Sequence, residues 1–309
     1  MLLFALLGVL WGASFLLIRI SLQGLNPAQV GLLRLALGAA TLTVIMLATR
    51  RPWPCEPRLL GHLTVVAVLL FVIPVALYSW AGQFLPSSLS AVLNATTPLM
   101  TLLVSALALR GERLRPAQVG GVLLGAAGIA LVVAPWQGSG TTGPPADASW
   151  PAIAACLLAT LSYGCAYTWL RKFLLGPATA KTARDPLSLT AVQLLIATLL
   201  TALAAPWTDV FATVPRLDTP IVIAMLVLGV FSTGIGYLWN TSITARWGAV
   251  RASQVTYLTP IVGVVLGAAI LAEPIGWLQL AGTATVLAGI ALTQLQRARA
   301  PRAPTTTSD

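Results

Sequence analysis

From Glu112 the chain reads E-R-L-R-P-A-Q-V-G-G-V-L-L-G-A-A-G-I-A-L, and from Glu273 it reads E-P-I-G-W-L-Q-L-A-G-T-A-T-V-L-A-G-I-A-L. At a constant offset of 161, eight of these twenty positions are identical. A shared apolar bias explains matches among Ala, Ile and Leu. It does not explain a carboxylate, an amide and two glycines in register: Glu112/Glu273, Gln118/Gln279, Gly121/Gly282 and Gly128/Gly289. Upstream, Thr97-Pro98 answers Thr259-Pro260 with one residue of slippage, and Trp11-Gly12 and Arg19 answer Tyr163-Gly164 and Arg171 at an offset of 152. The chain is two copies of one unit, which restricts its fold more than any composition does.

Composition decides the solvent. With 57% hydrophobic residues, 8% charged residues and a mean hydropathy of +0.88, the chain cannot solvate a surface in water, so its partner is a lipid bilayer. The net charge of +10 is a matter of sidedness, argued below, and not of nucleic-acid binding. The only lysines, Lys172 and Lys181, lie in no phosphate-binding Gly-x-x-x-x-Gly-Lys loop, so no nucleotide cofactor is expected. Cys55, Cys156 and Cys165 have no metal or redox spacing. Neither a cofactor nor a metal is implied.

Apolar runs of about 20 residues, the length that crosses a bilayer, predict an all-α integral membrane protein. Ten transmembrane helices are expected, near 2–21, 27–48, 59–83, 86–109, 116–135, 150–172, 186–206, 219–244, 248–271 and 275–296. They divide into a first repeat at 1–135, a Gly/Thr/Pro linker at 136–149, a second repeat at 150–296 and a disordered cytoplasmic tail at 297–309. The first run has no basic residue before it and no small-x-small site after it, so it reads as a helix and not as a cleaved leader. Of the 18 Lys and Arg residues, fifteen fall on one side of this layout; the exceptions are Arg216, Arg19 at a helix end and Arg34 within the membrane. The positive side is cytoplasmic, which puts both termini inside. Five helices per unit then make the second repeat enter from the opposite face, an inverted pair.

Inverted repeats place a substrate site at mid-depth, where matched helices are broken. Pro98 and Pro260 are the matched pair here and are the expected hinge, since proline frees a backbone carbonyl; Pro74 likewise answers Gly236. Around these positions cluster the side chains expected to line a substrate cavity. From the first repeat they are Trp11, Ser14, Arg34, Tyr78, Asn94 and Thr97; from the second, Tyr163, Tyr167, Gln193, Trp239, Asn240, Gln254 and Tyr257. Each alone could serve as an interhelical hydrogen bond, but together they argue for a wet interior. Arg34, the one ionisable residue well inside a helix, either snorkels outward or caps the carbonyls of a neighbouring helix, or it pairs with an anionic group of a substrate. Its counterpart in the second repeat is Gln193. Glu112 and Glu273 suit the positive ends of helices five and ten, and the absence of mid-membrane carboxylates and of a His/Asp/Glu/Cys cluster argues against an enzyme.

These residues resemble the EamA-like exporters of the drug/metabolite transporter superfamily. The resemblance rests on L-W-G-A-S-F (Leu10 to Phe15), P-x-x-x-x-x-x-R (Pro27 to Arg34), the two Thr-Pro pairs, and G-E-x-L-x-x-x-Q-x-x-G (Gly111 to Gly121) with its partner from Glu273. It covers residues 1 to about 296. What it implies is a multi-pass plasma-membrane transporter with both termini inside, exporting small metabolites, amino acids or drugs by alternating access through a central cavity. A lipid or sugar-carrier flippase of the same architecture is the alternative. The implied partner is a small-molecule substrate, and a homodimer stays open.

Overall fold

A computed structural model describes residues 2–109, 115–133, 146–174, 185–205, 210, 217–247, 255 and 258–298. The described chain is helical throughout, with no strands among these residues. In chain order the rods are α1 (Leu2–Ser21), α2 (Pro27–Ala48), α3 (Pro57–Ala67, Val68–Val72 and Ile73–Ala81), and α4 (Ser87–Asn94 and Thr97–Ala108). They continue as α5 (Pro116–Val133), α6 (Ala146–Trp169 and Leu170–Leu174) and α7 (Pro186–Ala204). Last come α8 (Thr219–Leu226, Val227–Ile235 and Gly236–Trp247), α9 (Leu258–Leu271) and α10 (Trp277–Ala298). Seven helical spans among the described residues are long and apolar enough to cross a membrane; Ala5–Ser21, Leu258–Leu271 and Trp277–Thr293 are apolar but shorter. α6 begins at Ala146, inside the segment expected as linker, where two alanines favour continued helix. The remainder of that linker, the tail beyond Ala298, and Glu112 lie outside the described residues.

Local sequence accounts for the helix starts. Prolines stand at the first position of α2, α3, α5 and α7, where a missing N–H costs nothing. Asn26 and Gln29 form a reciprocal capping box at α2, and the Asp185 carboxylate accepts the Ser188 N–H at α7. The exterior is apolar, unlike that of a water-soluble protein, while small polar residues share the interior with an apolar core. Leu107, Leu203, Trp277 and Leu123 are 89%, 72%, 71% and 65% exposed, whereas Ser79, Thr96, Thr160, Ser232, Thr233 and Thr259 are fully buried. Such an apolar exterior is stable against hydrocarbon and would be an aggregation surface in water.

The two repeats meet through glycines. α5 packs along α10, and a Cβ at Gly128 would lie 2.6 Å from the Val286 nitrogen and 2.8 Å from the Gly282 carbonyl. Reciprocally, a Cβ at Gly289 would lie 2.6 Å from the Gly121 carbonyl. Gly121 answers Gly282, and Gly128 answers Gly289, so the contact between Gly121 and Gly289 is the repeat-exchanged copy of the one between Gly128 and Gly282. α1 against α9 behaves likewise. Gly12 faces the Thr259 carbonyl there, while Gly164 of α6 faces the Met100 and Thr101 backbone of α4. Small residues allow backbones this close, and in lipid such packing drives association.

Glu273 departs from the sequence expectation. It does not sit on its own helix but reaches across the repeats to the start of α4, where the Ser87 and Ser88 N–H groups donate to its carboxylate at 2.7 and 3.0 Å. Partial burial pushes its pKa up, but the hydrogen bonds from Ser88 and Ser87 outweigh that, and the net shift is below the ordinary 4.5. A depressed folded-state pKa stabilises the protein above the ordinary value, and that contribution disappears as pH falls through the folded one. The Glu273→Gln variant should therefore melt lower than the parent at pH 7, with the difference shrinking on acidification below 4.5; melting curves across pH test this. In the same assay Gly128→Ala should be destabilised by about 1–3 kcal/mol of overpacking. Gly120→Ala, whose Cβ meets only Leu292 at 3.8 Å, should be neutral or stabilised.

Candidate functional site

Four of the described helices, α3, α4, α6 and α8, depart from regular α geometry, and the site draws residues from all four. In α4 a two-residue turn at Ala95 and Thr96 precedes Pro98. The freed backbone is taken up locally: the Thr96 hydroxyl donates to the Leu93 carbonyl at 2.7 Å and the Thr97 hydroxyl to the Asn94 carbonyl at 2.8 Å. In a bilayer such compensation is required, because no water reaches the broken turn from the lipid side. In α8 a π-helical stretch runs from Val227 to Ile235 and ends at Gly236; in α3 a shorter one, Val68–Val72, ends just before Pro74. π segments widen a helix and occur often at functional sites.

The π stretch of α8 anchors two other helices. The Trp11 indole N–H donates to the Ser232 carbonyl at 3.3 Å, and the Ser14 and Ser232 hydroxyls are 2.5 Å apart. The Thr233 hydroxyl donates to the Leu228 carbonyl five residues back, at 2.9 Å, and accepts from Arg34 Nε at 2.8 Å. α2 can approach this closely because Gly38 and Gly229 face each other; a Cβ at Gly38 would lie 3.2 Å from the Gly229 carbonyl. Arg34, one turn earlier on α2, is thereby held inside the bundle. It is 7% exposed and does not snorkel.

Between these anchors lies a cavity of about 50 Å³, space for a handful of waters at ~10–15 Å³ each. α1 contributes Trp11, Ser14 and Phe15; α2 and α3 contribute Arg34 and Tyr78; α4 contributes Asn94 and Thr97. Tyr163 and Tyr167 of α6 and Tyr237 of α8 complete it. The rings pack on one another, with Phe15 edge-on to Tyr78 at 5.1 Å and Trp11 against Tyr237 at 5.2 Å. The Tyr78 hydroxyl donates to Asn94 Oδ1 at 3.1 Å. The lining is aromatic with hydroxyl, amide and guanidinium groups converging on one space, the make-up of a small-molecule site. Among the described residues no Asp or Glu lines it, and no group of three or more His, Cys, Asp or Glu could hold a metal.

The expected residues divide accordingly. Trp11, Ser14, Arg34, Tyr78, Asn94, Thr97, Tyr163 and Tyr167 line the cavity. Gln193 is buried on α7 but is not part of the lining. Trp239 packs on the cluster of Leu7, Ile243 and Val255, and Asn240 is buried near Tyr167 without being part of the lining. Gln254 and Tyr257 lie outside the described residues, as does the helix expected before Pro260. Phe15, Tyr237 and the anchors Ser232 and Thr233 were missed. The overlooked signal is the i, i+4, i+7 stripe of Thr233, Tyr237 and Asn240, one helical face from which Trp239 is excluded.

The EamA-like transporter pattern matches residues 1–134 and again 150–295, nearly the whole chain. The chain belongs to the EamA-like transporter family. Members of this family are transporters and not enzymes, so this is a multi-pass membrane transporter. An uncharacterized transporter of Archaeoglobus fulgidus is 26% identical over 289 residues, covering 93% of this chain and 95% of its own. A probable terminal-alkyne amino-acid exporter of Streptantibioticus cattleyicolor is 26% identical over 288 residues, covering 92% and 89%. The uncharacterized inner membrane transporter YedA of Escherichia coli is 25% identical over 298 residues, covering 96% and 90%. A crystal structure that is 22% identical superposes with a TM-score of 0.65 over 96% of this transporter and 97% of that chain, a likeness of fold alone.

If the cavity is wet, it should admit a small water-soluble thiol reagent. With Cys55, Cys156 and Cys165 replaced, Thr97→Cys should be labelled by a methanethiosulfonate. Leu99→Cys, at a core position 4% exposed, should resist under the same conditions, as read by intact-mass spectrometry.

Proposed function

We propose that this transporter is a secondary carrier that moves small metabolites, amino acids or drugs out across the plasma membrane by alternating access. Its ten spanning helices form two inverted five-helix repeats with both termini cytoplasmic. The reading rests above all on one observation: polar and aromatic side chains from both repeats converge on one partly open cavity beside the broken helix α4. A channel would not need matched interruptions, whereas a carrier needs elements that bend. Pro98 with the Ala95-Thr96 turn, and Pro260 at the start of described α9, are the hinge.

Other contacts support the layout. The repeat-exchanged glycine pairs fit a two-fold relation between the halves. Long-range contacts also join segments that charge counting assigns to the same face. Arg51 and Asp185, 3.8 Å apart, belong to the cytoplasmic side; Glu273 with Ser87 and Gln29 with the Val210 carbonyl belong to the outer side. Amino-acid export by the Streptantibioticus relative, in the words of its name, is consistent with a cavity of hydroxyl, amide and ring groups.

Reconstituted in liposomes, the protein should show saturable uptake of one labelled solute from an amino-acid and metabolite panel, accelerated when the lumen holds the same unlabelled solute. Replacing Asn94 by Leu strips the Tyr78 hydroxyl of its acceptor. Leaving that buried hydroxyl unpaired costs about 1–3 kcal/mol of stability, so the thermal midpoint should fall, and counterflow per folded protein should fall with the altered cavity wall. Flux that is linear in concentration and indifferent to the lumenal solute would refute the carrier.

A further inference from the structure

We infer that the cavity selects solutes bearing one net negative charge, a carboxylate on an apolar or aromatic body, with Arg34 as the counter-charge. The inference builds on the carrier reading above and names its substrate class.

Arg34 is more than nine-tenths buried and lines the cavity. One of its donors, Nε, is committed to Thr233 at 2.8 Å; its two terminal Nη groups have no partner among the described residues. Thr233 is itself satisfied, donating to Leu228, so its oxygen offers the guanidinium a fixed acceptor. The side chain is tethered at Nε with the Nη pair left over. A planar pair of this kind matches the two oxygens of a carboxylate.

The charge balance makes this selective. A guanidinium in a low-dielectric site is costly unless an anion accompanies it, and among the described residues no carboxylate lines the cavity. The acids of known position stand at helix ends, as Glu273 at α4 and Asp185 at α7 illustrate. The solute must therefore supply the missing charge. An ammonium on the same solute would meet rings and hydroxyls but no carboxylate, beside a fixed positive charge. The rest of the wall, with Trp11, Phe15, Tyr78, Tyr163 and Tyr237, suits an uncharged apolar remainder. The acid is thereby preferred over the zwitterion of the same skeleton, and both over the cation.

Two matched triplets test this on the purified full-length chain: lactate, alanine and alaninol, then phenyllactate, phenylalanine and phenylalaninol. Within each triplet the skeleton is kept while the charge changes from anion to zwitterion to cation. Binding is read from concentration-dependent shifts in the thermal midpoint, and counterflow in liposomes is measured in parallel. At least one acid should bind about tenfold or more tighter than its amino acid and amino alcohol, the scale of one charge-assisted pair. R34Q should lose that preference, R34K should keep part of it, and T233V, which retains the charge but loses the tether, should weaken the acid several-fold.

If the amino acid or amino alcohol binds as tightly as the acid and shows saturable counterflow, the anion inference falls and the carrier stands. The anion inference also falls if R34K and T233V leave acid binding unchanged, which covers the case of R34Q failing to fold. If no member of either triplet binds or moves, the anion inference falls, and the carrier reading is decided separately by counterflow with the wider solute panel.

Discussion

In hydrocarbon every backbone N–H and C=O must find a partner within the protein, and each irregular feature of this transporter follows from that demand. A regular helix meets it automatically; an interruption must be compensated by side chains. The turn before Pro98 survives because the Thr96 and Thr97 hydroxyls bond the carbonyls it loosens. The π stretch of α8 survives because its offset groups are used by others, with Ser232 accepting from Trp11 and Thr233 spanning five residues to Leu228. Interruption and site coincide for this reason. Backbone groups released from the regular ladder are the ones around which polar side chains gather, and those side chains in turn require water or a solute.

The same logic explains how one charge is held inside. Gly38 and Gly229 let α2 and α8 approach until Thr233 reaches Arg34. A larger residue at either glycine would push the tether away from the guanidinium. Packing of small residues and placement of a charge are thus a single piece of construction, as is the cross-repeat link by which Glu273 closes the start of α4. Each joins a helix of one repeat to a helix of the other.

Much of this was legible in the chain. The doubling of the Glu112 and Glu273 segments, the apolar runs and the Thr-Pro pairs pointed to an all-helical membrane transporter, because period, length and proline are local properties. Eight expected residues, Arg34 and Tyr78 among them, do face one space, since polar side chains in apolar helices have few places to go. Gln193 and Trp239 do not. Repeat symmetry nominated Gln193 as the equal of Arg34, yet the cavity draws on α1, α2, α3, α4, α6 and α8 and takes nothing from α7. Trp239 was chosen for its chemistry without regard to helical phase, and it packs on the cluster of Leu7, Ile243 and Val255 instead.

The amino-acid order alone determined the solvent, the secondary structure and the duplication, because hydropathy and periodicity are written residue by residue. It placed an arginine well inside α2 but left open whether its side chain would snorkel outward or turn inward. Only the tertiary structure decided that Thr233 would hold this arginine and that Glu273 would cap a helix of the opposite repeat. It likewise decided that Tyr237 would replace Trp239 in the cavity wall. Those outcomes depend on how rods distant in sequence rotate and approach, and that is settled by glycine contacts and π turns acting across the whole bundle.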